Sequence, residues 1–152
     1  MDVLDKNKEK IGEIGEGLVA KVLYGKISTD KYDMVKDIVV TVTGHKVEVK
    51  TQTRYWTKKA FTIDLSQSNQ LIKCQNVDRL IFVEYGLSGH IRIWECLDRN
   101  YRVVEGGSRQ MAAFDIGKMI LINDLYLPDI ASELCKLSGS GLKHLNDLNL
   151  YQ

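Results

Sequence analysis

Two runs rich in Val, Ile and Thr, at residues 35–43 and 46–53, stand on either side of Gly44. β-Branched side chains favour a pleated backbone, and a glycine between two such runs gives the freedom a tight reversal needs, so the pair predicts an antiparallel hairpin. Two registers are open. If residues 41–44 form a turn with Gly44 last, Asp37 lies directly opposite Glu48; if Gly44 and His45 are a two-residue loop, Asp37 lies opposite Gln52 instead. Either way the alternation of side chains puts Asp37, Glu48 and Lys50 on one face. That face of the second strand, with Lys46, Glu48, Lys50 and Gln52, reads as solvent-facing, and its plainest account is a surface strand with cross-strand ion pairs. Asp33 shares the parity of Asp37 and is its rival as the acid facing Glu48.

Before the hairpin, Ile11, Ile14, Leu18, Val19, Val22 and Leu23 recur at helical spacing within residues 6–24, and Gly25 follows as a stop signal. Glu16 falls at the edge of this apolar stripe and can reach inward. Gly15 and Gly17 lie inside the helical pattern and follow no strand, so they are not a phosphate-binding loop and no nucleotide cofactor is expected. Gly12 and Gly15 are instead expected to let a sheet approach the helix closely.

After the hairpin, residues 66–75 open on Ser66 as a capping residue and predict a short helix. Residues 79–85 predict a strand whose Leu80, Ile81, Phe82 and Val83 suit burial on both faces. A reversal through Gly86 and Gly89 leads into a strand at 90–96, residues 101–104 add an edge strand, and Gly106 with Gly107 marks a break. Residues 118–122 predict a short strand, and Pro128 suits the first position of a helix running to about Leu137. The alternation of helical and strand signals predicts an α/β fold with a mixed central sheet flanked by helices. With 152 residues, 44% of them hydrophobic, the chain is expected to form a single domain over residues 1–137. Residues 138–152 are then a flexible joint and a C-terminal tail or docking segment.

Composition narrows the chemistry. The charged N-terminus lacks a signal-peptide stretch and no apolar run reaches membrane length, so the expectation is a cytoplasmic protein with no membrane partner. Cys74, Cys96 and Cys135 form no Cys-x-x-Cys pair, and His45, His90 and His144 form no helical pair, which removes zinc chemistry and leaves buried thiols. The formal charge of +1 excludes no partner, because a local groove can grip a polyanion on a neutral protein.

Glu48-Val49-Lys50 is the sole acid-x-Lys tripeptide in the chain, and an acid leads the preceding strand. Two carboxylates can hold a hard divalent cation and a lysine can orient a water, the requirements of metal-assisted phosphodiester hydrolysis. Directly after comes a basic and aromatic segment, in which Arg54, Lys58 and Lys59 can meet phosphates and Tyr55 and Trp56 can stack on bases; the plainer account is a solvated turn with Trp56 tucked into the core.

Over about residues 11–85 this arrangement resembles the PD-(D/E)XK nuclease superfamily, the fold of many restriction endonucleases, archaeal-type Holliday junction resolvases and phage exonucleases. The matching parts are Glu16 on a first helix, Asp37 leading Ile-Val-Val, Glu48 and Lys50 on the next strand, then residues 61–70, a helix and an apolar strand. Lys36 stands where the family often has proline. The resemblance implies a restriction-endonuclease-like core in which Asp37, Glu48 and the main-chain carbonyl of Val49 bind Mg²⁺, with Mn²⁺ able to substitute. It also implies that Lys50 positions the attacking water, that Glu16 assists, and that Gln70, or Gln67, faces the active site. The function so implied is a structure-selective, junction-resolvase-like DNA endonuclease acting as a homodimer. The other readings are a sequence-specific restriction endonuclease, an RNA nuclease, or a non-catalytic nucleic-acid-binding module on the same fold.

Overall fold

The computed structural model describes residues 3–23, 25–27, 38–40, 45–53 and 59–138. The elements run α1 (Val3–Leu23), β1 (Gly25–Ile27), β2 (Ile38–Val40), β3 (Lys46–Gln52), β4 (Ala60–Asp64), α2 (Ser68–Asn76) and β5 (Arg79–Tyr85). After these come β6 (His90–Cys96), β7 (Arg102–Gly106), β8 (Arg109–Asp115), a single 3₁₀ turn, β9 (Met119–Tyr126) and α3 (Pro128–Ser138). The six-stranded main sheet has the order β1-β2-β3-β5-β6-β9. Within it β3 and β5 are parallel and the other neighbours antiparallel, so the sheet is mixed.

β5 carries the apolar run into two cores at once. Ile81, Val83 and Tyr85 face one side with Val47, Val49, Ile91 and Ile93, covered by α1 and α3. Leu80 and Phe82 face the other, against Phe61, Leu71, Cys74 and Phe114. Alternation along a strand makes this division unavoidable once both faces are covered. Phe61 stacks on Phe82 with ring centroids 4.7 Å apart, and Phe114 lies 5.8 Å from Phe82. Burying each such side chain contributes about 1.5–3 kcal/mol.

The second core has a roof the sequence does not predict: a separate three-stranded sheet of order β4-β8-β7. The edge strand expected at residues 101–104 is β7 (Arg102–Gly106), on the edge of this second sheet, and the break expected at Gly106 and Gly107 is the β7–β8 reversal, Gly107 with φ +66°. β8 escapes pattern reading because Ala112 and Ala113, poor strand formers, occupy its fully buried centre. β9 also runs four residues beyond the expected stop at Ile122, held along β6 by antiparallel pairing.

The expected helices form, with adjusted ends. α1 packs Ile11 and Val19 onto the sheet, and the close approach centres on Gly15, where an added Cβ would lie 1.7 Å from Thr51 Oγ1. Gly12 faces open space and is not required for that contact. α2 begins at Ser68 rather than Ser66, with Gln67 at the N-cap and no side-chain cap. Ser66 instead donates its N–H to Asp64 Oδ1 at 2.9 Å, turning the chain out of β4. Pro128 opens α3 as expected. No helix among the described residues is long and apolar enough to cross a membrane.

Candidate active site

β3 sorts its side chains by parity. Val47 and Val49 enter the core under α1, whereas Glu48, Lys50 and Gln52 face α2 and the second sheet. The face expected to meet solvent is therefore roofed, and Glu48 has no exposed surface at all. A carboxylate withdrawn from water needs opposite charge nearby. Lys50 Nζ lies 2.6 Å from Glu48 Oε2, and Lys73 Nζ lies 3.5 Å from Oε1. Gln70 Oε1 accepts a hydrogen bond from Lys50 Nζ. Gln70 and Lys73 are three apart on α2, so one face of that short helix delivers both.

Gln52 fixes the roof to the sheet. Its Oε1 accepts from Thr62 N–H at 2.8 Å and its Nε2 donates to Thr62 C=O at 3.2 Å, so one amide side chain pairs with β4 as a neighbouring strand would. At the end of β4, Asp64 is held below the ordinary aspartate range by the N–H and hydroxyl of Ser66 and then by the charge of Arg109, whose guanidinium lies 3.2 Å away. Cys74, on the buried face of α2, is pushed up to about 12 by burial, with the charge of Lys50 opposing.

These elements enclose a cleft of about 590 Å³, lined by Glu16 from α1, Lys50 from β3, Gln67, Gln70 and Lys73 from α2 and its approach, and Arg109 from β8. Glu16, Lys50 and Gln70 thus come together as the sequence reading expects, with Gln67 beside them. Glu48 lies behind the two ammoniums rather than on the wall. Val49 contributes to the lining while its side chain is buried in the α1 core. β2 pairs with β3 through Ile38 opposite Val47, which is the first of the two registers. Its consequence concerns Asp37, which lies outside the described residues, as do Asp33, Arg54, Tyr55, Trp56 and Lys58. Lys59 is exposed, adopts φ +47°, and accepts the Ile116 N–H at its carbonyl. It is not among the residues that line the cleft.

Lys73, Gln52 and Arg109 are site residues that sequence reasoning missed. Helical spacing from Gln70 could have found Lys73; nothing local marks Arg109, which reaches the cleft only through the pairing of β8 with β4. For a divalent cation, Glu48 and Glu16 offer the hard carboxylate oxygen that Mg²⁺ accepts. Among the described residues no group of three or more His, Cys, Asp or Glu side chains is placed to hold a metal ion. The donor type fits, then, with Asp64 also on the cleft wall. In comparison with known proteins, the chain matches no family model, no curated protein and no solved structure.

Proposed function

We propose that the protein is a Mg²⁺-dependent endodeoxyribonuclease with a restriction-endonuclease-like core. The observation that carries this reading is the convergence of Lys50, Gln70 and Glu16, from three different elements, around one cleft, with Glu48 ion-paired to Lys50 behind its wall. Further support comes from the order of elements: a first helix, the antiparallel neighbours β1, β2 and β3, then α2 and β5 returning parallel to β3. That order agrees with the PD-(D/E)XK resemblance, whose matching parts include residues 61–70, with β4, between β3 and α2.

Glu48, the Val49 carbonyl and Asp37 would hold the ion. A bound Mg²⁺ supplies Lewis-acid polarisation of the phosphate and makes a water more acidic. Lys50 donates hydrogen bonds toward the attacking water and offsets charge growing on the phosphate, and Gln70 keeps its ammonium in place. Glu16 lines the same cleft and would assist by orienting water. A structure-selective, junction-resolvase-like enzyme working as a symmetric dimer is the form we favour, since a dimer places two sites on two strands.

The test is incubation with labelled duplex, flap, four-way-junction, single-stranded DNA and RNA, with and without Mg²⁺. Wild type is expected to cleave DNA only with metal, and Lys50→Ala to lose cleavage while retaining DNA binding. Undiminished cleavage by Lys50→Ala, or no metal-dependent product from any substrate, overturns the assignment. The closure of Glu48 by two lysines favours one second reading, a non-catalytic nucleic-acid-binding module, which predicts binding without cleavage and no response to Mn²⁺.

A further inference from the structure

The cleft does not end at its own wall. A second cavity of about 480 Å³, lined by Asp64, Leu65, Ser66, Gln67, Arg109 and Gln110, has Asp64, Gln67 and Arg109 in common with it. Those three residues form a divide between two compartments, and a ligand long enough to occupy both has to cross it. Four basic and three acidic side chains line the cleft, and Glu48 behind Lys50 is a fourth acid, so net charge by itself does not draw in an anion. Position decides instead. Lys50 and Lys73 are paired with the buried Glu48. Arg109 stands at the rim: its side chain is 73% exposed, and its ion-pair partner among the described residues is Asp64, at 3.2 Å from Nη1. That contact uses one nitrogen of a planar group with about five N–H donors, a fork whose geometry matches phosphate oxygens. Asp64 in turn accepts the Ser66 N–H at Oδ1, 2.9 Å away, which gives the guanidinium a fixed anchor at the divide.

Resting on the nuclease reading, we propose that Arg109 grips a backbone phosphate on the flank of the scissile one, where the nucleic-acid strand passes from the cleft into the second cavity. The ligand this fits is a polymer with a repeating anion rather than a mononucleotide, because one compartment takes the reacting phosphate and the divide takes the next part of the strand. A guanidinium on phosphate positions a strand without reading its bases. No aromatic side chain is among the described residues that line the second cavity, so a base has no ring to stack on there. The grip is therefore independent of sequence, which suits an enzyme that selects its substrate by shape.

Two measurements on Arg109→Ala test this, a truncation at an exposed position that leaves the core untouched. The first is binding of a fluorescent DNA duplex, followed by anisotropy over a range of salt in the cleavage-deficient Lys50→Ala background. Removing Arg109 is expected to weaken binding about tenfold and to reduce the slope of log affinity against log salt by about 1. Arg109→Lys, which keeps the charge, should retain the slope. Arg102→Ala serves as the control: it changes the same second sheet but lines neither cavity, and it should leave the slope unchanged. The second measurement is cleavage with Lys50 intact, where Arg109→Ala is expected to raise KM about tenfold and hold kcat within about twofold, as for a contact made equally in ground and transition states. An unchanged salt slope in Arg109→Ala, or a fall in kcat with KM unchanged, overturns this inference and leaves the nuclease reading standing. If wild type gives no metal-dependent product, the nuclease reading falls, and the salt slope alone then decides the phosphate contact. If wild type binds no DNA at any salt, both fall.

Discussion

Gly15 and Gly12 occupy the same helix three residues apart, yet they face different physical situations. An alanine Cβ at 15 would sit 1.7 Å from Thr51 Oγ1 and 2.8 Å from Thr51 Cβ, so α1 would have to lift off β3. At 12 it would meet nothing within 4 Å. Gly15→Ala is accordingly expected to destabilise the fold by about 1–3 kcal/mol, the usual range for overpacking. Gly12→Ala should stabilise it by up to about 1 kcal/mol, because alanine loses less backbone freedom in a helix. Urea unfolding of the two variants checks this, and a reversed order of midpoints would refute the packing account. Periodicity alone groups these glycines together; the difference between them is set by which one lies over Thr51. Glu48 makes the same point for the site, since its parity can be read from the strand but its complete burial depends on a roof built from residues later in the chain.

At the scale of elements, the cleft depends on how the second layer is tied down. Gln52 links β3 to β4, and β4 leads through the Asp64 turn into α2 and its Gln70 and Lys73. The other end of α2 is fastened by Arg99, which donates to the carbonyls of Cys74, Val77 and Asp78 as well as Cys96. A cation at a helix C-terminus also favours the helix dipole. Gln52→Ala leaves both Thr62 main-chain groups without this partner, at a cost of about 1–3 kcal/mol. Its expected signature is faster amide exchange at Thr62 and through α2, with β6 unaffected. Unchanged exchange at Thr62 would mean that β4 is held by β8 alone. Element type was legible where periodicity was strong, in α1, β3, β5 and α3. Membership of a sheet was not: residues 101–104 read as a strand correctly, but the sheet they join is built around β8, whose alanines carry little strand signal.

At the scale of the whole molecule, each aspartate among the described residues whose titration departs from 3.8 is depressed. Asp64 and Asp98 are lowered chiefly by backbone N–H groups of Ser66 and Asn100. For Asp124 burial pulls upward, and the hydrogen bonds and charges of His90 and Arg92 outweigh it. A folded value below the unfolded one means that the unfolded chain binds more protons, so this stabilisation is present above 3.8 and lost as pH falls through the folded values. The urea midpoint is expected to be flat down to about pH 5 and to drop below about pH 4, less steeply in Asp98→Asn. An equal acid slope in that variant would remove Asp98 from the account. The three thiols are all buried, and burial pushes Cys74 up to about 12, Cys96 up to about 11 and Cys135 upward. Native protein at pH 8 should react with a disulfide reagent at least about a hundredfold more slowly than protein in guanidinium. A thiol reacting at the denatured rate would contradict this burial.

What the sequence determined by itself are the quantities set by local geometry. The period of two puts Glu48 and Lys50 opposite Val47 and Val49, the period of 3.6 gives α1 its apolar stripe, and the Leu80 to Val83 run demands cover on both sides. Tertiary structure decided what those faces meet. It chose the first of two hairpin registers, laid the second sheet over a strand face that reads as solvent-exposed, and set Lys73 against Glu48. The physical reason is that a repeat fixes the direction of a side chain from its nearest neighbours in the chain. The charge, water or apolar surface it then faces comes from segments far along the chain, and only their packing together settles it.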